Sequence, residues 1–304
     1  MTPRSRAIAL AVPVFAGTAG CLTSGQGSQP QATAAVTTGG LPAWLPGVWT
    51  REWIRRGSTQ SNLFDVHYLQ TTSVFGDVRF PRNRPVFPSA TSFADLTTAD
   101  LRLLAQQRGF TGHTTVAGLV STWHHDIDFQ PPDGSDDIGR LERTDSLGMY
   151  EHALDGSYVE SWRALSDGQG RFLAVRVERM GRLERVLVMV GNDFLFVRNR
   201  ARDLPVAESL DALMVAAQDD RARMIEYLDC EFSTGRVHGG SVPWEIEHST
   251  LPWREGRHLD FVDGIVASAT GEALTPLVGS ADRWTVPVNT LAKAELVALF
   301  LRRP

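Results

Sequence analysis

Between residues 48 and 199 the chain is a succession of short runs in which β-branched and aromatic residues alternate with polar ones. VWTREWIRR (48–56), NLFDVHYLQ (62–70) and SVFGDVRF (73–80) read as three consecutive strands. TVAGLVSTWHHDIDFQ (115–130), DIGRLERT (137–144), SLGMYEHAL (146–154) and SYVESWRAL (157–165) continue the pattern. RFLAVRVERM (171–180), RLERVLVMVG (182–191) and NDFLFVRN (192–199) complete it. A period of two sends successive side chains to opposite faces of a sheet, so each run can bury one face. The joins are brief and rich in turn formers: DGS at 155–157, SDGQG at 166–170, and Gly191-Asn192. They are too short for crossover helices, so neighbouring strands pair antiparallel, and a meander of this kind closes into a barrel. The expected fold is mainly β, an antiparallel up-and-down barrel with a few helices.

Helices interrupt the meander at FADLTTADLRLLAQQ (93–107), SLDALMVAAQ (209–218) and NTLAKAELVALFL (289–301), where apolar residues fall at helical spacing. Ser209 is placed to cap the second of these. After it, MIEYLDCEFSTGRV and VPWEIEHST resume the strand pattern.

The first forty residues read differently. Arg4 and Arg6 precede an apolar run from Ala7 to Gly20, followed by Cys21. A basic segment, a short apolar segment and small residues at a cleavage point make a secretory signal, and the run is too short to span a bilayer. Thr18-Ala19-Gly20-Cys21 resembles the bacterial lipobox, with Thr18 standing where Leu is usual. Residues 22–40 are small, polar and uncharged, as in a flexible tether. The expectation is a lipoprotein signal over residues 1–20, a tether over 21–40 with lipid on Cys21, and an envelope protein anchored to a membrane. Plain secretion, or a buried helix opening an ordinary cytosolic domain, are the alternatives.

A formal net charge of -5 without a basic cluster argues against nucleic acid as a partner. Hydrophobic residues at 42% suffice for a substantial core. Once Cys21 is set aside, Cys230 is the only cysteine, so the domain has no intrachain disulfide. Cys230 lies in EYLDCEFST and is expected to be a small core residue.

Gly47-Val48-Trp49 stands at the entry to the first strand, just after the Pro-rich LPAWLP. It resembles the Gly-x-Trp of lipocalins and related calycins. That resemblance implies a Trp49 packed across the closed end of the barrel beneath an arginine from a late strand, Arg198 or Arg200 here. VHYLQTTSVFGDVRFP, GFTGHTTVAGLVSTWHHDIDFQPPDGSDDIGRLE and WEIEHSTLPWREG are also similar to a family of uncharacterised bacterial and fungal proteins with calycin-like barrels. The resemblance covers residues 44–258 and implies a fold but no activity. The expected domains are a barrel over 41–258 and a C-terminal extension over 259–304 ending in a helix.

The polar block near residue 124 holds the most chemistry. Strict alternation puts Trp123, His125, Ile127 and Phe129 on one face and His124, Asp126, Asp128 and Gln130 on the other. If the second face lines the interior, His124, Asp126 and Asp128 are candidates for ligand contact, and His124 and Asp128 for acid–base work. If it meets solvent, the tryptophan face is core. Two ligands on one strand fall short of a metal site, and no metal or cofactor is expected. Asp77 and Arg79 share a strand face, as do Glu160 and Trp162 opposite Arg163. Acid–arginine pairs of this kind are expected to be interior salt bridges. Glu151 and His152 point to opposite faces, and His67, His113, His238, His248 and His258 have no spacing that gathers them.

No nucleophile elbow, phosphate loop, dinucleotide fingerprint or His-Glu-x-x-His occurs. Three functional readings follow. The first is a binding protein holding a small, largely apolar molecule, with Trp53 and Trp162 among its wall tryptophans beside Trp49 and Trp123. The second is an isomerase, lyase or hydrolase using the His124–Asp128 face, with Arg79 or Arg163 as electrophile. The third is a filled barrel serving a structural role.

Overall fold

The computed structural model describes residues 40–300, except 133, 219, 272 and 277–281. The chain begins with β1 (Gly47–Arg56), the short β2 (Thr59–Ser61), β3 (Phe64–Gln70) and β4 (Val74–Pro81). After α1 (Thr98–Leu104) come β5 (Arg108–Ala117), β6 (Val120–Asp128), β7 (Asp137–Arg143), β8 (Gly148–Ala153) and β9 (Val159–Ser166). Each long strand pairs antiparallel with the next, and β9 returns to pair with β1, closing an eight-stranded up-and-down barrel. β2 adds only a hairpin at the end of β1. The expected barrel is present, and its strands run from Gly47 to Ser166.

The strands beyond it form a second sheet. β10 (Phe172–Arg179), β11 (Arg182–Val190) and β12 (Asp193–Arg198) are joined by two-residue turns in which Met180, Gly181 and Gly191 have positive φ. Such turns match the right-handed twist of hairpin strands. Then come α2 (Leu210–Ala217), α3 (Arg221–Leu228), β13 (Glu231–Arg236) and β14 (Glu245–Ser249). The segment starting at Met224, expected to be strand, is thus helical as far as Leu228; Asp220 caps α3 by accepting from Arg223. β15 (Ile265–Ala267) and β16 (Leu274–Pro276) form a small hairpin, and β17 (Arg283–Asn289) joins the sheet beside β10 before α4 (Lys293–Phe300). Part of the C-terminal stretch is therefore a strand of the second sheet.

Three cores hold these layers. Inside the barrel pack Trp49, Tyr68, Phe75, Trp123, Met149 and Trp162. Between the outer wall of the barrel and the second sheet pack Val78, Phe80, Ile127 and Phe129 against Val186, Val188, Leu195 and Val197, with the apolar faces of α1, α2 and α3. The other face of the sheet meets Leu259, Phe261 and Phe300. A sheet buried on both faces has no need to alternate. This is why VLVMV (186–190) in β11 is apolar throughout. Gly76 faces outward, and a Cβ there would lie 2.6 Å from the Leu195 side chain; its absence lets Leu195 seat against the barrel wall. Cys230 is fully buried, as expected, and burial pushes its thiol pKa up. No helix among the described residues is long and apolar enough to cross a membrane. The signal, tether and Cys21 lie outside the described residues.

Candidate functional site

Two β-bulges decide which way the candidate residues on β1 and β6 face. On β1, Arg51 pairs with Trp162 and Trp53 with Ser161, leaving Glu52 as the extra residue. On β6, His125 pairs with Gly112 and Ile127 with Thr111, leaving Asp126 as the extra residue. A bulge inserts one residue and reverses the alternation beyond it. Gly112 permits the second bulge, since a Cβ there would sit 1.8 Å from the His124 carbonyl oxygen.

The expected faces of β6 are corrected accordingly. Trp123 and His125 point inward, Asp126 and Ile127 outward, and Asp128 inward again. His124 turns outward at the edge of the opening, its ring stacked on His113 (4.5 Å, 11°) and bonded to Thr115 at 2.9 Å. Asp126 forms an ion pair with Arg176 of the second sheet at 2.8 Å. The bulge on β1 sends Trp53 to the outer wall, where it packs on Tyr150 at 5.8 Å. Arg163 is also outside, bonded to Glu52 at 2.6 Å. Of the candidates, Trp162 and Arg79 line the interior cavity, and Asp128 and His124 line the vestibule outside it; Asp126, Trp53 and Arg163 do not converge with them.

The inner cavity measures about 310 Å³. Tyr68, Phe110, Trp123 and Trp162 form an aromatic wall, and four acids and three arginines complete the lining. Arg79 holds Asp77 in a two-pronged ion pair, 2.7 and 3.2 Å, as their shared face implied. Behind Glu160, Arg51 forms a buried ion pair with it. Glu151 lies over Gly139, where any Cβ would collide with its side chain. Burial, the charge of Glu160 and the charge of Asp137 raise the Glu151 carboxyl well above the usual range, so it holds its proton. The Tyr158 hydroxyl donates to Glu151 Oε1 at 2.9 Å.

An outer vestibule of about 990 Å³ shares Arg79, Arg108, Phe110, Trp123, Asp137 and Tyr158 with this cavity. His125 sits in it, stacked on Phe110 at 4.3 Å and bonded through Nδ1 to Asp128 (2.7 Å) and Nε2 to Asp137 (3.1 Å). Burial opposes its charge, but the two carboxylates outweigh burial and raise its pKa to about 9. With both nitrogens committed, His125 is a charged strut rather than a base. No group of His, Cys, Asp and Glu among the described residues is arranged to hold a metal ion.

At the other end of the barrel Trp49 is buried and donates from its indole to Leu45 O at 2.8 Å. The arginine expected above it is elsewhere. Arg198 pairs with Asp229 at 2.7 Å, and Arg200 lies over the Phe129 ring at 5.8 Å. The arginine at this end is Arg143, over Trp44, which in turn meets Trp49 edge to face.

Sequence reasoning missed Glu151, Tyr158, Arg56 and Arg108 as lining residues. The face of Glu151 was legible from alternation along β8; that Glu160 stands beside it required the pairing of β8 with β9.

No family model matches the chain, and no curated protein matches it. An uncharacterised protein of Saccharomyces cerevisiae of known structure is similar over 81% of this chain and 100% of its own, with 11% sequence identity and a TM-score of 0.49.

Proposed function

We propose that the barrel is a binding compartment for one small molecule, admitted through the vestibule and held against the aromatic wall. The observation that carries this reading is the inner cavity itself, bounded by Tyr68, Trp123 and Trp162 on one side and by charged groups on the other. A filled barrel has no such space. A volume of about 310 Å³ lies at the low end of the range for small-molecule sites. The charged lining favours a ligand with a polar end over the largely apolar molecule expected from the tryptophans alone. Lipidation at Cys21, if the lipobox-like TAGC is cut, would tether this compartment to the membrane of the cell envelope.

Native mass spectrometry of the protein from the membrane fraction of its own host tests both parts. A diacylglyceryl mass on Cys21 with a co-purifying small molecule is the expected result. An unmodified protein overturns the anchoring, and a ligand-free one that also binds nothing from a metabolite extract overturns the binding reading.

One observation favours an enzyme as the second reading. Glu151 keeps its proton beside Glu160, which is ion-paired with Arg51, and a pair of carboxyls in unlike environments suits one acid and one base. Chemical change of the bound molecule, lost in Glu151→Gln with binding retained, distinguishes this reading.

A further inference from the structure

We propose that the ligand of the barrel is an anion, a carboxylate or phosphate carried on a single flat ring, seated with its charge against Arg56 and Arg108. The inference rests on the binding reading above and names the chemistry of what is bound. Its first support is the pairing of charges. Asp77 is taken by Arg79, Glu160 by Arg51, and Asp128 and Asp137 share His125. Among the described residues Arg56 and Arg108 have no carboxylate partner; Arg56 lies over the Tyr158 ring at 5.9 Å and Arg108 over the Phe64 ring at 5.3 Å. With Glu151 neutral, the cavity lining together with Arg51, His125 and Asp128 carries one positive charge in excess, while Asp136 and Asp155 line only the vestibule outside it. A single anion neutralises that excess.

The second support is independent of charge. The indole N–H of Trp162, a lining residue of the cavity, is buried and has no acceptor among the described residues. A buried donor without an acceptor is costly, so what completes this wall must bring acceptor atoms. The proton on Glu151 is a further donor, and an ionised carboxyl there would repel the anion. Partial burial, and then the charges of Arg79, Arg51 and Arg56, lower the Arg108 pKa; an anion among these guanidiniums relieves the repulsion. Guanidinium groups match the planar fork of a carboxylate and the oxygens of a phosphate. The aromatic wall and the small volume limit the body of the ligand to about one ring.

Isothermal titration calorimetry of the folded protein with benzoate, phenyl phosphate, benzamide and benzylamine tests the inference, with fluorescence of Trp123 and Trp162 as a second readout. One of the two anions is expected to bind, and which one does identifies the head group. Arg108→Gln and Arg56→Gln, both at the exposed rim, are each expected to weaken it by about tenfold or more while circular dichroism is unchanged. Affinity should fall with added salt. Benzamide or benzylamine binding as well as the anions, or either variant binding benzoate and phenyl phosphate as wild type does, overturns the anionic ligand and leaves the binding reading standing. Binding of none of the four by protein of native circular dichroism overturns both.

Discussion

Glu151 on β8 and Glu160 on β9 are direct partners across an antiparallel pair, and both are buried inside the barrel. Like charges in that relation repel, and the pair resolves the conflict asymmetrically. Glu160 takes the ion pair with Arg51, and Glu151 retains its proton.

The two glutamates are therefore expected to respond in opposite ways to the same substitution. Glu151→Gln replaces a neutral acid by its neutral isostere and leaves stability near neutral pH unchanged or raised. Glu160→Gln strands the Arg51 guanidinium in the interior and costs about 3–5 kcal/mol. Urea unfolding of both variants checks this; equal losses would show that the pair is not asymmetric.

The pH dependence of the first variant has a fixed sign. The folded pKa of Glu151 is raised, so above the unfolded carboxylate value of about 4.3 the unfolded state releases a proton that the folded state keeps. Wild-type stability contributed by this group is full below that value and is lost as pH rises toward the folded pKa. Glu151→Gln lacks the loss, so its stability relative to wild type should climb with pH. Parallel pH–stability curves for the two proteins would refute the raised pKa.

The bulge on β6 gives a prediction of a different kind. At Gly112 a Cβ would overlap the His124 carbonyl oxygen at 1.8 Å, a backbone atom that cannot rotate away. Gly112→Ala is expected to destabilise by about 3 kcal/mol or more, in the range of strained or overpacked interior sites. It should also draw His125 away from Asp128 and Asp137, which would appear as a fall in the His125 pKa from about 9 by NMR titration. A stable variant with an unshifted His125 would mean that the bulge tolerates a side chain.

Arg200 gives a test of how the barrel is tied to the second sheet. Its guanidinium is buried and donates to the carbonyl oxygens of Asp128 (2.6 Å), Phe129 (2.8 Å) and Tyr227 (3.2 Å), joining the end of β6 to α3. Arg200→Met leaves three acceptors without their donor and is expected to cost about 3 kcal/mol. Faster amide exchange in residues 128–130 and 224–228 should accompany it. Protection spread evenly over the chain would place the loss elsewhere.

These cases show what was legible in the sequence. Alternation and short turns located the barrel strands other than β5, because period-two patterning and hairpin joins are local, but they also carried the expected barrel on through 171–199, which forms the second sheet. The run 115–130 was read as a single strand although Gly118 and Leu119 turn it into the β5–β6 hairpin, because β-branched residues flank the turn without a break. Face assignment failed at Trp53 and within His124–Asp128 for one reason. A bulge is set by the partner strand, by Ser161 opposite Trp53 and by Gly112 opposite His125, and neither partner is near in sequence. α3 was missed because RARMIEYL is polar on average, with only Met224 and Leu228 fully buried. Three of the histidines that no spacing gathered meet another histidine in space: His113 on His124, and His67 on His248.

The second of these pairs is expected to make the packing of barrel against sheet sensitive to acid. His67 on β3 lies 5.2 Å from His248 on β14, and both rings flank Phe80, at 6.1 and 5.7 Å. His67 Nε2 is buried without a partner among the described residues. Burial, and then the charge of His248, lower the His67 pKa to about 4, while Asp65 opposes the shift. The folded pKa lies below the unfolded value, so the stability held by neutral His67 is present above about pH 6.5 and is lost as pH falls from there toward 4. His67→Phe keeps a ring against Phe80 and removes the titration. Between those limits wild type should lose on the order of 2–3 kcal/mol relative to the variant, measured by urea unfolding at matched pH. Identical acid slopes for the two proteins would show that His67 charges without cost, and that the contact between barrel and sheet opens to water before it titrates.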